Sequence, residues 1–299
     1  MSLTQDIRDA FSRRDNALNQ LILLNALVFV VLIVLKAIFF LTQTDGVYAL
    51  ITRQLELSSS LPVLLRHPWT PLSYAFVHEG FLHIIFNMLN LYWFGQLIRE
   101  YLGDRRLVSL YILGALAGAA FFLLAYNLLP VLQPHVGQPV IGASAAVTAI
   151  IVGAATLLPD YTFMLILVGP VKIKWIALVV VLISIAGLNG GNPGGEVTHL
   201  GGALLGFFFV RQLKAGRDMG RPVVAVGDWL GRLFSHQPAM KVTHRATVAA
   251  GRAPASAKAS APAATPAEEV DTILDKISRS GYESLSKEEK QKLFRASQQ

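Results

Sequence analysis

The chain reads as long apolar runs separated by short polar joints. Residues 21–41 form the first run long enough to cross about 30 Å of hydrocarbon at 1.5 Å per residue. Lys36 lies near its far end, where a lysine stem can snorkel to the interface. Further spans are predicted over 81–100, 107–129 and 140–158, then a short one over 175–187 and a sixth over 197–213. In the third, Gly114 and Gly118 are spaced for close helix packing. The connection at 42–80 is too apolar for a free loop. Leu55, Leu57, Leu61, Val63, Leu64, Leu65 and Trp69 recur between polar residues, which predicts an interfacial or partly embedded segment. The joint at 159–174, broken by Gly169-Pro170 and carrying Lys172 and Lys174, reads as a loop lying on the cytoplasmic surface.

These runs divide the chain into a polar N-terminus (1–18), a six-helix domain (19–214), a juxtamembrane segment with an Ala/Pro-rich linker (215–267) and a small helical module (268–299). Trp229, Leu230, Leu233 and Phe234 predict a short helix lying on the membrane. In the module, Val270, Ile273, Leu274 and Ile277 share one helical face, Gly281 punctuates, and Ser286 with Glu289 forms a capping box before Leu293 and Phe294. So little apolar surface predicts docking on a cytoplasmic partner or a second copy.

Composition agrees: 53% hydrophobic residues, 15% charged and a mean hydropathy of +0.50 describe a polytopic membrane protein. The absence of cysteine excludes disulfides, thiolate chemistry and cysteine-held metals. A net charge of +7 invites a nucleic-acid reading, but the Lys and Arg residues flank apolar segments or lie in the tail, which suits membrane lipid and no nucleic acid. Basic residues collect in the N-terminus, at 99–106, at 159–174 and after 211, while the opposite loops hold Arg53 and Arg66. Both termini are therefore expected in the cytoplasm. With no small-x-small site after it, the first run reads as an uncleaved anchor.

In that topology the second, fourth and sixth spans run inward from the outer face, and their polar residues fall near their starts. His83 and Asn87 lie one turn apart on the second. Ser144 begins the fourth, within Val140-Ile141-Gly142-Ala143-Ser144-Ala145-Ala146-Val147. His199 opens the sixth, followed by Gly201, Gly202 and Gly206. Each has a plainer use alone: a serine bonding the preceding turn, or a histidine or asparagine joining helices. Together, unpaired polar groups at one depth should converge on each other or on water. Gly202 and Gly206 would let the sixth helix approach the fourth and bring His199 within hydrogen-bond reach of Ser144. A metal reading is weak, because His78-Glu79 and His83 are spaced by five residues and not the four of a zinc helix. Asp160 falls in a loop, so no aspartyl pair exists either. No metal and no cofactor is expected.

These residues resemble the rhomboid family of intramembrane serine proteases. His83-Ile84-Ile85-Phe86-Asn87 is similar to its H-x-x-x-N motif, Gly142-Ala143-Ser144-Ala145 to G-x-S-G except at the last position, and His199 with Gly202 and Gly206 to H-x-x-G-x-x-x-G. The resemblance covers about 65–213. It implies an all-α membrane protein, a six-transmembrane-helix rhomboid bundle with a partly embedded first loop, in a bacterial inner membrane. It also implies a Ser144–His199 dyad without an aspartate. The oxyanion would be stabilised by Asn87, His83 and the Ser144 backbone N–H, and Gly142 would allow a tight entrance to the fourth helix. The loop at 190–195 would cap the site and the short fifth helix would gate it. The substrates implied are transmembrane segments of other membrane proteins. Ala145 stands where the family has glycine, and a methyl there would press on the contact between fourth and sixth helices. The alternative is a catalytically inactive relative that binds membrane helices. The tail is similar to a small module on bacterial rhomboids.

Overall fold

The computed structural model describes residues 16–165, 168–234, 266–280 and 284–296. The N-terminal segment before Asn16, the linker at 246–265 and Gly281 lie outside the described residues, as do the side chains of Phe234 and Phe294. The chain forms two compact units, one within 1–237 and one within 238–299.

In the first unit each apolar run has become a helix. The first, α1 (Ala17–Leu41), starts four residues before its run, because Asp104 Oδ2 accepts the Ala17 N–H at 3.0 Å and satisfies the helix start. The connection behind it folds into α2 (Asp45–Arg53), a two-residue strand β1 (Leu57–Ser58), α3 (Leu61–Arg66), α4 (Thr70–Ser73) and a 3-10 turn at Tyr74–Phe76. Next come α5 (Phe81–Leu102) and α6 (Asp104–Leu128), which reverse direction at Gly103 with φ +83. Strand β2 (Pro139–Val140) leads into α7 (Ser144–Leu157). Strands β3 (Thr162–Leu165) and β4 (Gly169–Lys172) lead into α8 (Ile173–Gly187), and then follow α9 (Pro193–Lys214) and α10 (Arg221–Phe234). Among the described residues, α1, α5 and α6 are long and apolar enough to cross a membrane, and α7 and α8 are shorter apolar helices. The length of α9 suffices, but glycines, Glu196 and His199 fill its first turns.

Helix α9 packs most heavily on α7 and α6 and forms the core with them. A β-carbon at Gly202 would strike the carbonyl of Ala145, and one at Gly206 the carbonyl of Ala149, so the α7–α9 seam is backbone against backbone. On α6, Gly114 and Gly118 face the methyls of Ala149 and Ala145. The predicted small-residue pair thus receives α7.

One expectation gains detail and two are corrected. The connection at 42–80, read as interfacial or partly embedded, is folded onto the helices: β1 pairs antiparallel with β2 (Leu57 opposite Val140), and Leu57, Tyr74 and Ala75 are sealed in the core. Buried phenols fasten it, with Tyr74 O–H donating to Ala115 O and Tyr111 O–H to Ala75 O, both at 2.8 Å. Leu65, 81% exposed, still faces outward as a lipid-facing residue would. Second, the joint at 159–174 is the antiparallel β3–β4 hairpin, so the all-α expectation gains two short ribbons. Gly169 takes φ +83 at its turn, and Phe163 packs on Phe94 with ring centroids 5.0 Å apart. Asp160 at its base accepts from Lys174 at 2.8 Å and Lys172 at 2.9 Å, and these amines hold its carboxyl down at about 2. Third, the glycine-rich stretch is not loop throughout. Asn192 caps α9 by accepting the Gly195 N–H at 3.0 Å, and Pro193 occupies the first turn, so Gly194 and Gly195 are helical. The segment left to cap anything is 188–192.

Helix α10 is longer than the predicted surface helix. It is tied to the α5–α6 turn by Arg105 with Asp228 (3.7 Å), while Arg106 pairs with Asp218 just before it (3.0 Å). In the second unit, α11 (Pro266–Ser280) and α12 (Lys287–Ala296) form the expected helix pair. The capping box is present, with Ser286 N–H to Glu289 Oε2 at 2.7 Å and Glu289 N–H to Ser286 Oγ at 3.2 Å. Among the described residues Ile273 and Leu285 are buried, whereas Leu274, expected to share a face with Ile273, is exposed.

Candidate active site

Ser144 is the first residue of α7, and the chain reaches it through a strained turn. Gly142 has φ +121, a value L side chains rarely adopt. A β-carbon there would also lie 2.8 Å from His83 Nε2, so glycine is required twice over. Gly142 N–H donates to Tyr74 O at 2.9 Å, and Ala143 N–H to His78 Nε2 at 3.5 Å. The turn therefore hangs from the first loop. His78 is buried and stacks edge-on against His83, centroids 5.0 Å apart. Burial first, and His83 second, push its pKa down to about 4, so it is neutral at pH 7 and Nε2 is free to accept. The H-E pair drew attention to His78 only as a weak metal ligand. Its position behind the serine turn had no sequence signal.

One cavity of about 410 Å³ is lined by Ser144 and Thr148 of α7, His83 and Asn87 of α5, Ser184 of α8, and Glu196 and His199 of α9. All four predicted polar residues thus share one cleft, which is otherwise walled by Asn90 and the apolar Leu82, Phe86, Val147, Ile151, Val180 and Ile183. A larger cleft of about 1010 Å³ lies among Asp104, Arg105, Arg106, Asp218 and Asp228, where Arg106 pairs with Asp218 and Arg105 with Asp228, and it offers no serine or histidine. Among the described residues no cluster of histidine and carboxylate is built to hold a metal.

Within the cleft each group has a defined partner or role. Asn87 is buried and gives one amide hydrogen to His83 O at 2.9 Å, leaving the second for the cleft. The Ser144 N–H belongs to the amides that a helix start leaves unpaired, and the α7 dipole favours negative charge there. His199 sits in the second turn of α9, not at its start, with Nδ1 3.1 Å from Ser184 Oγ and 3.2 Å from Glu196 Oε2. Among the described residues no hydrogen bond joins Ser144 to His199. The expected direct bond is thus not formed in this structure, where the ring is held through Nδ1 by Glu196 and Ser184. Hydrogen bonds of this kind often close only around a substrate. Glu196 carries a legible signal in the sequence, an acid one turn before a histidine.

The expected crowding at Ala145 does not occur. Its methyl lies against Gly118 of α6, which leaves room for it, and what Gly202 of α9 meets is the Ala145 backbone. A β-carbon at Gly118 would lie 2.5 Å from that methyl. Gly118→Ala is therefore expected to cost about 2 kcal/mol by overpacking, and adding Ala145→Gly to restore part of it. Thermal melts of both variants in detergent are the check, and a double variant no more stable than the single one would refute this packing.

Comparison with known proteins bears on the family. The chain is 31% identical over 159 residues to RHOMBOID-like protein 12, mitochondrial, of Arabidopsis thaliana, a match covering 50% of this chain and 47% of that protein. To Rhomboid-like protein 16, chloroplastic, of the same plant it is 31% identical over 160 residues, 50% of each chain. The matches thus span about half the length of these curated relatives. Residues 263–299 match a family of unknown function (DUF6576). Residues 65–214 match the Rhomboid domain, half of the chain and every helix that lines the cleft. This membrane protein belongs to the rhomboid family.

Proposed function

We propose that the chain is an intramembrane serine endopeptidase that cleaves transmembrane segments of other membrane proteins. The observation that carries the reading is the convergence of Ser144, His199, His83 and Asn87, from three helices, on one cleft with apolar walls. Ser144 Oγ would attack the scissile carbonyl while His199 takes its proton. The carbonyl electron pair moves onto oxygen, and the resulting oxyanion accepts from the Ser144 N–H, Asn87 and His83. Collapse of this intermediate expels the amine, which His199 protonates, and water then hydrolyses the acyl-enzyme by the same steps in reverse. A substrate helix must first unwind, since a protease acts on extended chain, so segments with small or helix-weakening residues are favoured.

The proposal includes a topology: six spans, α1 and α5 to α9, with both termini on the cytoplasmic face of a bacterial inner membrane and the cleft toward the exterior. Support comes from the basic residues gathered where α5, α7 and α9 end and α6 and α8 begin: Arg99, Arg105, Arg106, Lys172, Lys174, Arg211 and Lys214. Membrane lipid surrounds the bundle, and the 268–299 module would dock a cytoplasmic partner or a second copy. No cofactor is required.

The deciding experiment is labelling of the purified, folded protein with a fluorophosphonate probe beside Ser144→Ala. Wild type is expected to label and the variant to stay blank. A folded wild type that neither labels nor cleaves, yet binds a transmembrane peptide, would replace the protease reading with that of a helix-binding relative.

A further inference from the structure

We infer that Glu196 is a positioning residue for His199, keeping the ring proton on Nδ1 so that Nε2 presents its lone pair to the cleft. Its catalytic meaning rests on the Ser144–His199 reading above, although the hydrogen bond itself does not. Glu196 Oε2 lies 3.2 Å from His199 Nδ1. A carboxylate only accepts, so the proton between them belongs to the nitrogen. Ser184 Oγ, 3.1 Å away on α8, can accept a share of the same N–H. The tautomer this fixes is the one a general base needs, with a free lone pair on the opposite edge.

The carboxylate is seated by the fold and not merely near. It stands one turn before His199 on the same helix face, in the first turn of α9, where the helix dipole favours negative charge. Its Cγ, Cδ and Oε1 fill the place a side chain at Gly187 would take, 2.8 to 2.9 Å from the position of that β-carbon. The end of α8 is thus shaped around it. Glu196 and His199 side chains are only 21% and 24% exposed, so little water competes for the bond. When His199 takes the serine proton, the imidazolium stays beside a fixed negative charge, and that charge matters more as the step proceeds. The effect should therefore fall on kcat and spare KM.

The test uses the full chain in detergent micelles with ¹⁵N-labelled histidine, together with kinetics on a helix-weakened transmembrane substrate. Wild type is expected to show His199 protonated on Nδ1. Glu196→Gln should shift the proton toward Nε2 and lower kcat about 100-fold, with KM changed less than about twofold. Gly187→Ala, which keeps the carboxylate but takes its seat, should move both readouts the same way and stands in if Glu196→Gln folds poorly. A wild-type His199 protonated on Nε2, or a Glu196→Gln protein with tautomer and kcat unchanged, overturns the inference while leaving the protease reading intact. A wild type that cleaves nothing sinks the protease reading, and the tautomer measurement still decides this one.

Discussion

His199→Ala is expected to lower cleavage of a helix-weakened transmembrane substrate by about 10⁴-fold or more while leaving the fold intact. Without the imidazole, the proposed mechanism leaves the Ser144 proton without its base. In that mechanism His83 serves the oxyanion, and Glu196 is bonded to the histidine that has been removed. The residual rate would come from binding and the oxyanion donors alone. Stability should change little, because the hydrogen bonds of the His199 ring go to Ser184 and Glu196 in a partly open cleft. What holds α9 in place lies further along, at Gly202 and Gly206. Initial rates and thermal melts on one preparation give both numbers. A variant that keeps a tenth of wild-type activity would mean that His199 is not the base.

Gly202→Val should be the most damaging change outside the cleft, removing activity and about 3 kcal/mol or more of stability. At Gly202 the obstacle is the Ala145 carbonyl, part of the α7 backbone one residue after Ser144. Side chains can rotate away from an intruding methyl, but a helix backbone cannot. Helix α9 would have to move bodily outward, taking His199 from the serine and opening the seam to lipid. Gly46→Ala is the matched control, because nothing lies within 4 Å of a β-carbon there. The prediction fails if both variants melt and cleave alike.

The legible parts of the structure were those written in a single stretch of sequence. Apolar runs announced the helices, and a serine, two histidines and an asparagine, each near a helix start, announced the cleft. The Gly202 and Gly206 spacing announced the seam that joins them. What stayed hidden depends on groups brought together from distant segments. Leu57 pairs with Val140 across more than eighty residues, and two-residue strands carry no periodicity. The β3–β4 hairpin was obscured by residues that looked equally suited to a membrane surface. The direction of the Ala145 methyl could not be read before the α6–α7 seam existed. Glu196 was visible as a residue, but its role needed Gly187 to vacate a seat on another helix.

Helix α7 has fourteen residues, which extend roughly 21 Å. Its far end is fixed, for Lys214 Nζ donates to Thr156 O at 2.7 Å, and an ammonium belongs at the water boundary. In the proposed topology the whole deficit against the bilayer, roughly 9 Å, therefore falls at Ser144. The nucleophile would stand at the floor of a shaft, and the bond it reaches would lie about six helical residues below the rim of the target's own hydrophobic stretch. Thinning or thickening the surrounding lipid should accordingly slide the cut along the target by a residue for every 1.5 Å or so.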